Sequence, residues 1–157
     1  MGQEFEGLTV LDEELSALIR RVGAEVLETM FFAEGVPCEC RPPEATDTGV
    51  RVAFEGSHRG EFLLRVSEDA RDEIAGGFLG LGPEELEDDE RRQVMLELAN
   101  ILCGSILSSL WPESSLALST PEPAGAELPP AGSCHQCFAM PVGMLGISVL
   151  VRGGGGV

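Results

Sequence analysis

The chain has 157 residues and a formal net charge of −17, and all ten of its basic residues are arginine. That length suits one hydrophobic core, and 43% hydrophobic residues indicate a folded globular protein. Because such an acidic field repels polyanions, we expect neither nucleic acid nor a membrane as partner. No apolar run approaches the ~20 residues of a membrane-spanning helix. The acidic start, residues 1–6, is unlike a secretory signal, so we expect a cytoplasmic protein with five reduced cysteines.

The first third of the chain predicts a long helix, a short strand and a hairpin. Apolar residues at spacings of three and four predict an amphipathic helix over residues 11–32. Residues 38–41 then form a short strand or loop. Apolar residues that alternate with polar or small ones predict a β-hairpin over residues 49–66.

A linking helix leads into a second series of the same elements. Ser67 is placed to cap this helix, which ends near residue 77. The following segments are a second long helix over residues 84–110, a strand over 116–120, a Pro- and Ala-rich loop over 121–133 and a second hairpin over 134–152.

The order of long helix, short strand and hairpin therefore occurs twice. Strands and helices are grouped rather than alternating singly, which predicts an α+β fold. We expect a mostly antiparallel sheet of two pseudo-symmetric halves, with two long helices on one face. Residues 1–157 should form a single domain, with residues 1–8 and 153–157 flexible.

The second long helix has two contrasting faces. At 100° per residue its wide face is apolar. The opposite side is a narrow row, here called the polar stripe, of Gln93, Glu97, Asn100, Gly104 and Ser108. Glu97 and Asn100 are three residues apart, so their side chains emerge side by side. An ordinary solvated face would also explain this spacing, but Gly104 costs a helix ~1 kcal/mol relative to Ala and suits a surface that another molecule approaches closely.

The segment Met95-Leu96-Glu97-Leu98-Ala99-Asn100-Ile101-Leu102-Cys103-Gly104 resembles the signature helix of the CheC/CheX/FliY chemotaxis phosphatases. In that family a Glu and an Asn three residues later are followed, after 22 intervening residues, by a Pro, as Pro123 follows Asn100 here. The element order is also similar to the family's two-layer fold. Gln93 departs from the Asp or Ser common at its position. The first long helix lacks the asparagine, so the chain resembles CheX more than CheC.

The resemblance implies a protein substrate, a CheY-type receiver domain phosphorylated on aspartate. It implies that Glu97 pairs with a lysine of the receiver while Asn100 holds the attacking water, and that Gln93, Gly104 and Ser108 contact the partner. No cofactor is expected on this chain, since Mg²⁺ would be bound by the receiver. The alternative is a non-catalytic receiver-binding module of the same fold. Oligomeric state is open, and a free edge of the second hairpin would allow a homodimer.

The cysteines offer a competing metal hypothesis. Cys38 with Cys40, and Cys134 with Cys137, are two candidate half-sites for zinc. Residues three apart on a strand point to opposite faces, however, so Cys134 and Cys137 should diverge and no metal is expected. Surface or strand positions are expected for the two histidines, His58 and His135, and a packing role for Cys103.

Overall fold

The computed structural model describes residues 2–125 and 128–154. Its elements in chain order are α1 (Gly2–Phe31), β1 (Val36–Cys38), β2 (Thr48–Gly56), β3 (His58–Val66), α2 (Glu68–Leu79), a 3-10 turn (Pro83–Glu85), α3 (Asp88–Leu110), β4 (Leu116–Leu118), β5 (Glu122–Ala124), β6 (Cys134–Ala139) and β7 (Met144–Gly154). The predicted helices and hairpins are present. One strand, β5, lies in the segment that the sequence predicted to be loop.

The first helix and the last strand are longer than the sequence predicted. Helix α1 begins at Gly2 rather than at residue 11, and β7 extends to Gly154. Apolar periodicity starts only near residue 11, so it could not reveal the earlier turns of the helix. Met1 and residues 155–157 lie outside the described residues. The flexibility of both ends stays a prediction.

Helix α3 begins four residues later than predicted. Leu86 interrupts the helical pattern in an extended conformation, with ψ of 133°, and its side chain is buried. The helix then starts with a cap in which the Glu90 carboxylate accepts a hydrogen bond of 2.9 Å from the Glu87 N–H. Ser67 occupies the N-cap position of α2, but it does not cap that helix. Its hydroxyl instead accepts a hydrogen bond of 2.9 Å from the Met144 N–H of β7.

The sheet is antiparallel throughout and has the order β1-β6-β7-β3-β2-β4, with β5 also paired to β2. The two halves of the chain correspond strand by strand: β1 to β4, β2 to β6 and β3 to β7. Exchanging the corresponding strands gives the same order read from the other edge, so a pseudo-twofold axis passes between β3 and β7. The short strand of each half pairs with the hairpin of the other half. The predicted pseudo-symmetric α+β fold is confirmed, and the two halves share one sheet.

One face of the sheet is covered by the helices. Helix α1 packs on β6, α3 packs on β2, and the two helices contact each other. The largest fully buried side chains of this core are Leu15, Ile19, Leu27, Phe31, Phe54, Phe62, Leu64, Ile74, Met95, Leu98, Leu102 and Phe138. By length and composition alone α3 is apolar enough to cross a membrane. Its apolar residues are buried in this core, which accounts for that composition without a membrane.

Residues 39–47 contact the opposite face of the sheet through an ion cluster. The buried Arg65 side chain lies 3.6 Å from the Asp47 carboxylate and donates a hydrogen bond to the Arg41 carbonyl. Arg41 donates two hydrogen bonds to Asp47, and the Glu44 N–H donates a third. Burial alone would raise the pKa of Asp47, but these hydrogen bonds and the Arg65 charge hold it below its usual value.

The same segment carries a disulfide, so the expectation of five reduced cysteines is wrong for two of them. Cys40 is bonded to Cys137 across 97 residues of sequence. Pairing of β1 with β6 brings the two segments together, and composition cannot reveal such a register. Cys134 lies on the helix side of the same strand, where its Sγ is 2.9 Å from the Ser16 hydroxyl. Cys103 is a packing residue, and burial raises the pKa of its thiol to about 12.

The ion cluster generates a stability prediction. Asp47→Asn leaves the buried Arg65 without its counter-charge, so we expect a loss of about 3 kcal/mol in the free energy of unfolding at pH 7. Urea denaturation measures this loss. Because the pKa of Asp47 is lower in the folded chain than in the unfolded chain, its stabilisation is present above pH ~4 and is lost as pH falls through the lowered pKa. The variant and the wild type should therefore converge in acid.

The exposed pair of Arg21 and Glu25 provides the control, since both side chains are more than half exposed. Glu25→Gln should change stability by less than ~0.5 kcal/mol. Equal effects of the two substitutions at pH 7 would contradict the role assigned to Asp47.

Candidate functional site

The polar stripe lies on the outer side of α3, near the middle of the helix. Gln93, Glu97, Asn100 and Ser108 are exposed, and Gly104 is half-buried. The helix residues on the other side are buried in the core, among them Val94, Met95, Leu98, Ala99, Leu102 and Ile106. Core packing therefore fixes the rotation of the helix and presents the stripe to solvent.

Glu97 and Asn100 have no side-chain hydrogen bond or ion pair with any part of the chain that the structure describes. The acidic residues at the start of the same helix differ from Glu97 in this respect. Asp88 lies 3.0 Å from Arg91, and Asp89 is paired with Arg92. The Glu97 carboxylate and the neighbouring Asn100 carboxamide thus keep their hydrogen-bonding capacity for a molecule outside the chain.

Gly104 is not required by the packing of this chain. A Cβ placed there would meet only the Leu118 side chain, at an ordinary contact distance of 3.9 Å. Gly23 of α1 provides the contrast, because a Cβ there would lie 2.8 Å from the Phe138 ring. No contact inside the described fold therefore requires a residue without a side chain at position 104.

An apolar groove of about 410 Å³ adjoins the first half of the stripe. Its apolar surface includes Phe78 and Leu79, which are 37% and 40% exposed at the end of α2. The α3 side of the groove is formed by Asp89, Glu90, Gln93, Val94 and Glu97. Sequence reasoning missed Phe78 and Leu79. The sequence signal that could have revealed them is an apolar pair directly after Gly76-Gly77, at the end of a helix whose surface is mostly polar.

A second, more polar cavity of about 270 Å³ adjoins the other half of the stripe. Gly104 and Ser108 line it together with Trp111 and Ser114. The His58 ring stacks on Trp111 with centroids 3.7 Å apart. His58 is the first residue of β3, which is a strand position as expected. Glu97 lines the first groove and Gly104 the second, and Asn100 lies between them on the helix.

Pro123 is the most distant residue of the sequence motif. It lies in β5 opposite Val50 of β2, where the missing N–H of a proline is tolerated at a sheet edge. Together with Leu96 it lines a third cavity, of about 240 Å³. Pro123 and the residue that precedes Glu97 thus line the same cavity.

The chemistry that the stripe can provide is limited to hydrogen bonding and one negative charge. Within residues 2–125 and 128–154 it contains no cation, imidazole or thiol. Arg91 and Arg92 are already paired with acidic residues. Cys103 is fully buried, and His135 is on the face of the sheet opposite the helices. Such a site can orient a water molecule and pair with a cation, but it offers no strong nucleophile.

We compared the chain with protein-family models, curated sequences and solved structures. The family model described as chemotaxis phosphatase CheX matches residues 48–136, more than half of the chain. No curated protein sequence matches. CheX from Vibrio vulnificus is 19% identical, with 88% of this chain and 97% of that chain covered and a TM-score of 0.71.

Two further solved structures are informative. CheX in the CheX–CheY–BeF3–Mg²⁺ complex from Borrelia burgdorferi is 16% identical, with 87% of this chain and 97% of that chain covered and a TM-score of 0.68. The FliM middle domain from H. pylori is 14% identical, with 87% and 91% covered and a TM-score of 0.52. These similarities show a shared fold. Together with the family match, they establish that the chain belongs to the CheX family of chemotaxis phosphatases.

Proposed function

We propose that this chain hydrolyses the aspartyl phosphate of a CheY-type receiver domain, with Glu97 and Asn100 as its catalytic residues. The observation that supports this most is the exposed, unpaired Glu97 and Asn100 side by side on α3 in a member of the CheX family. The related Borrelia burgdorferi structure is a complex of CheX with CheY, BeF3 and Mg²⁺. The cytoplasmic location expected from the sequence forms part of the same proposal.

Asn100 holds the attacking water in line with phosphorus. Its carboxamide has both a donor and an acceptor, so it can fix the orientation of a water molecule without removing a proton from it. Phosphoryl transfer depends mainly on positioning and on neutralisation of charge. A side chain without acid–base chemistry is therefore sufficient for this step.

Glu97 pairs with a lysine of the receiver. Its carboxylate has no competing arginine among the described residues, so the pair forms without first breaking an internal one. Across a desolvated interface, a charge pair of this kind fixes register as well as adding affinity. Glu97 thereby holds the phosphoryl group at the position that Asn100 can reach.

The substrate supplies all positive charge in this mechanism. The chain has no lysine, and its two arginines nearest the stripe in sequence are paired with carboxylates. A Mg²⁺ ion held by the receiver would supply the charge that neutralises the phosphoryl oxygens. Small phosphate esters would meet an acidic surface whose polar stripe offers no cation of its own, so we expect them to be poor substrates. This charge arrangement favours a phosphorylated protein over a metabolite.

The two cavities beside the stripe give the receiver a larger contact than the catalytic pair alone. Phe78 and Leu79 offer exposed apolar surface next to Glu97, and Gln93 adds a hydrogen-bonding amide to the same groove. Gly104 and Ser108 have small side chains, so the partner's backbone can approach the other half of the stripe closely. These residues position the receiver and do not act on phosphorus.

The second candidate function is a receiver-binding adaptor without catalysis. Two observations favour it: the FliM middle domain shares the fold, and Gln93 stands where the family often has Asp or Ser. The rate at which a receiver labelled with ³²P loses its phosphate, or an equivalent phosphate-release assay, separates the two candidates. Acceleration over spontaneous hydrolysis supports the phosphatase, and binding without acceleration supports the adaptor.

The first functional prediction separates the roles of the two catalytic residues. Asn100→Ala should abolish acceleration of receiver dephosphorylation while leaving receiver affinity within about twofold, because it removes the water-orienting group and little contact surface. Glu97→Ala should weaken binding by about thirtyfold, equivalent to ~2 kcal/mol. Phosphate release and calorimetric titration with a receiver activated by beryllofluoride measure the two effects.

Glu28→Ala is the matched control, because Glu28 is an exposed carboxylate on α1, the counterpart of α3. It removes the same charge from the chain and should change neither turnover nor affinity. Full activity of the Asn100→Ala variant would refute the proposed mechanism.

The second functional prediction concerns Gly104. Gly104→Ala should stabilise the fold by about 0.5–1 kcal/mol, because alanine favours the helix and its Cβ meets no obstacle. Gly104→Leu should leave thermal stability unreduced but abolish receiver binding by steric exclusion. Thermal unfolding and the binding titration test both statements.

Gly23→Ala is the control for stability, since its Cβ collides with Phe138 and should cost about 1–3 kcal/mol. Normal receiver binding by the Gly104→Leu variant would show that this part of α3 is not at the interface.

A further inference from the structure

The side chains of two cysteines and one histidine converge on the face of the sheet opposite the helices. The ligand atoms of Cys40, His135 and Cys137 lie within 4.8 Å of one another. Cys137 is buried, and the site is far from the polar stripe in the fold because the sheet and the helical layer lie between them. Nothing in the proposed receiver chemistry uses this cluster.

The distance between two of these ligands matches tetrahedral zinc. The Cys137 Sγ and the His135 Nε2 are 3.5 Å apart. Bonds of ~2.3 Å from zinc to sulfur and ~2.0–2.1 Å to nitrogen, at a tetrahedral angle, place these ligands about 3.5 Å from each other. The strand register already provides this spacing, since His135 and Cys137 are two apart on β6 and share one face.

A hydrogen bond at the second ring nitrogen fixes the orientation of the His135 imidazole. The His135 Nδ1 lies 2.5 Å from the hydroxyl of the buried Ser148 on β7. In the tautomer that donates from Nδ1 to this hydroxyl, the Nε2 lone pair faces the sulfur of Cys137. Zinc-bound histidines in proteins are held by a hydrogen bond of this type at their second nitrogen.

The strand register offers Cys38 of β1 as a candidate fourth ligand, although its sulfur is not among the converging ligand atoms. Cys38 is exposed and lies directly opposite Cys137 in the β1–β6 ladder, so both side chains leave the sheet on the same face. Three thiolates and one neutral imidazole leave the zinc complex with one net negative charge.

We propose that the reduced chain binds one Zn²⁺ through Cys38, Cys40, His135 and Cys137, and that the Cys40–Cys137 disulfide is the oxidised alternative of the same site. A dithiol reductant supplies two electrons and two protons and becomes a disulfide itself, while the Cys40–Cys137 bond breaks to give two thiols. Zinc then displaces three thiol protons as three Zn–S bonds form beside the bond to Nε2. The site fastens residues 39–47 to the sheet in both redox states.

The test uses the full chain, reduced with a dithiol and stripped of metal, and then titrated with Zn²⁺ against a chromophoric chelator. We expect one equivalent to bind. Co²⁺ in place of Zn²⁺ should give the intense visible spectrum and the thiolate charge-transfer bands of a tetrahedral site. The oxidised chain should bind neither metal. Removal of zinc should leave the helical circular dichroism unchanged, because the helices pack on the other face.

Substitutions identify the ligands. Cys40→Ser, Cys137→Ser and His135→Ala should each weaken zinc affinity at least a hundredfold, Cys38→Ser should weaken it at least tenfold, and Ser148→Ala should weaken it by about tenfold or more. Cys134→Ser is the matched control, since this cysteine is on the same strand but faces Ser16 on α1. It should retain full affinity.

Alkylation of the wild-type chain keeps the test valid if a variant fails to fold. Zinc should protect Cys38, Cys40 and Cys137 from a thiol alkylating reagent, as located by peptide mass spectrometry. Failure of the reduced wild type to bind zinc stoichiometrically, or loss of binding in the Cys134→Ser variant, would overturn the proposal. Unchanged affinity in the Cys38→Ser variant would overturn the assignment of the fourth ligand.

Discussion

The pairing of β3 with β7 joins the two halves of the chain, and the remaining structure depends on it. These central strands align from Gly60 opposite Val151 to Val66 opposite Leu145, and the hairpin of each half then supports the short strand of the other half. Each helix also packs mainly on the hairpin of the other half, since α1 lies on β6 and α3 lies on β2. The helical layer, and with it the rotation of α3, follows from this exchange.

Buried packing on one side of α3 leaves its other side available for function. The helix is in contact with β2, α1 and α2, and its apolar residues are used up in those contacts. What remains outside is a stripe in which one carboxylate and one carboxamide have no internal partner among the described residues. In a protein with 27 acidic residues, an acid without an arginine partner is unremarkable by itself. Its position beside Asn100, between two cavities, is what distinguishes Glu97.

Local patterns were sufficient to predict most elements. Helices and hairpins follow from apolar periodicity, which depends on neighbours in sequence. Glu97 and Asn100 were singled out by the resemblance to a family's signature helix, because their spacing alone is also typical of an ordinary solvated face. Features that depend on register could not be predicted in this way. The Cys40–Cys137 bond, the short strand that contains Pro123, and the groove formed by Phe78 and Leu79 all join segments distant in sequence. Divergence of Cys134 from Cys137 was predictable because a strand has a period of two, whereas the approach of Cys40 was not.

The exchange of strands between halves has a consequence for how the chain acquires its structure. Val36 of β1 pairs with Ala139 of β6, so β1 cannot pair until a strand more than a hundred residues further along the chain has been synthesised. Contacts of such large sequence separation raise the relative contact order and slow folding, because chain closure must be achieved before they form. During synthesis the ribosome would release the first helix and hairpin long before their partners exist. The nascent first half is therefore expected to expose unpaired strand edges, and to need protection from aggregation, until the last hairpin emerges.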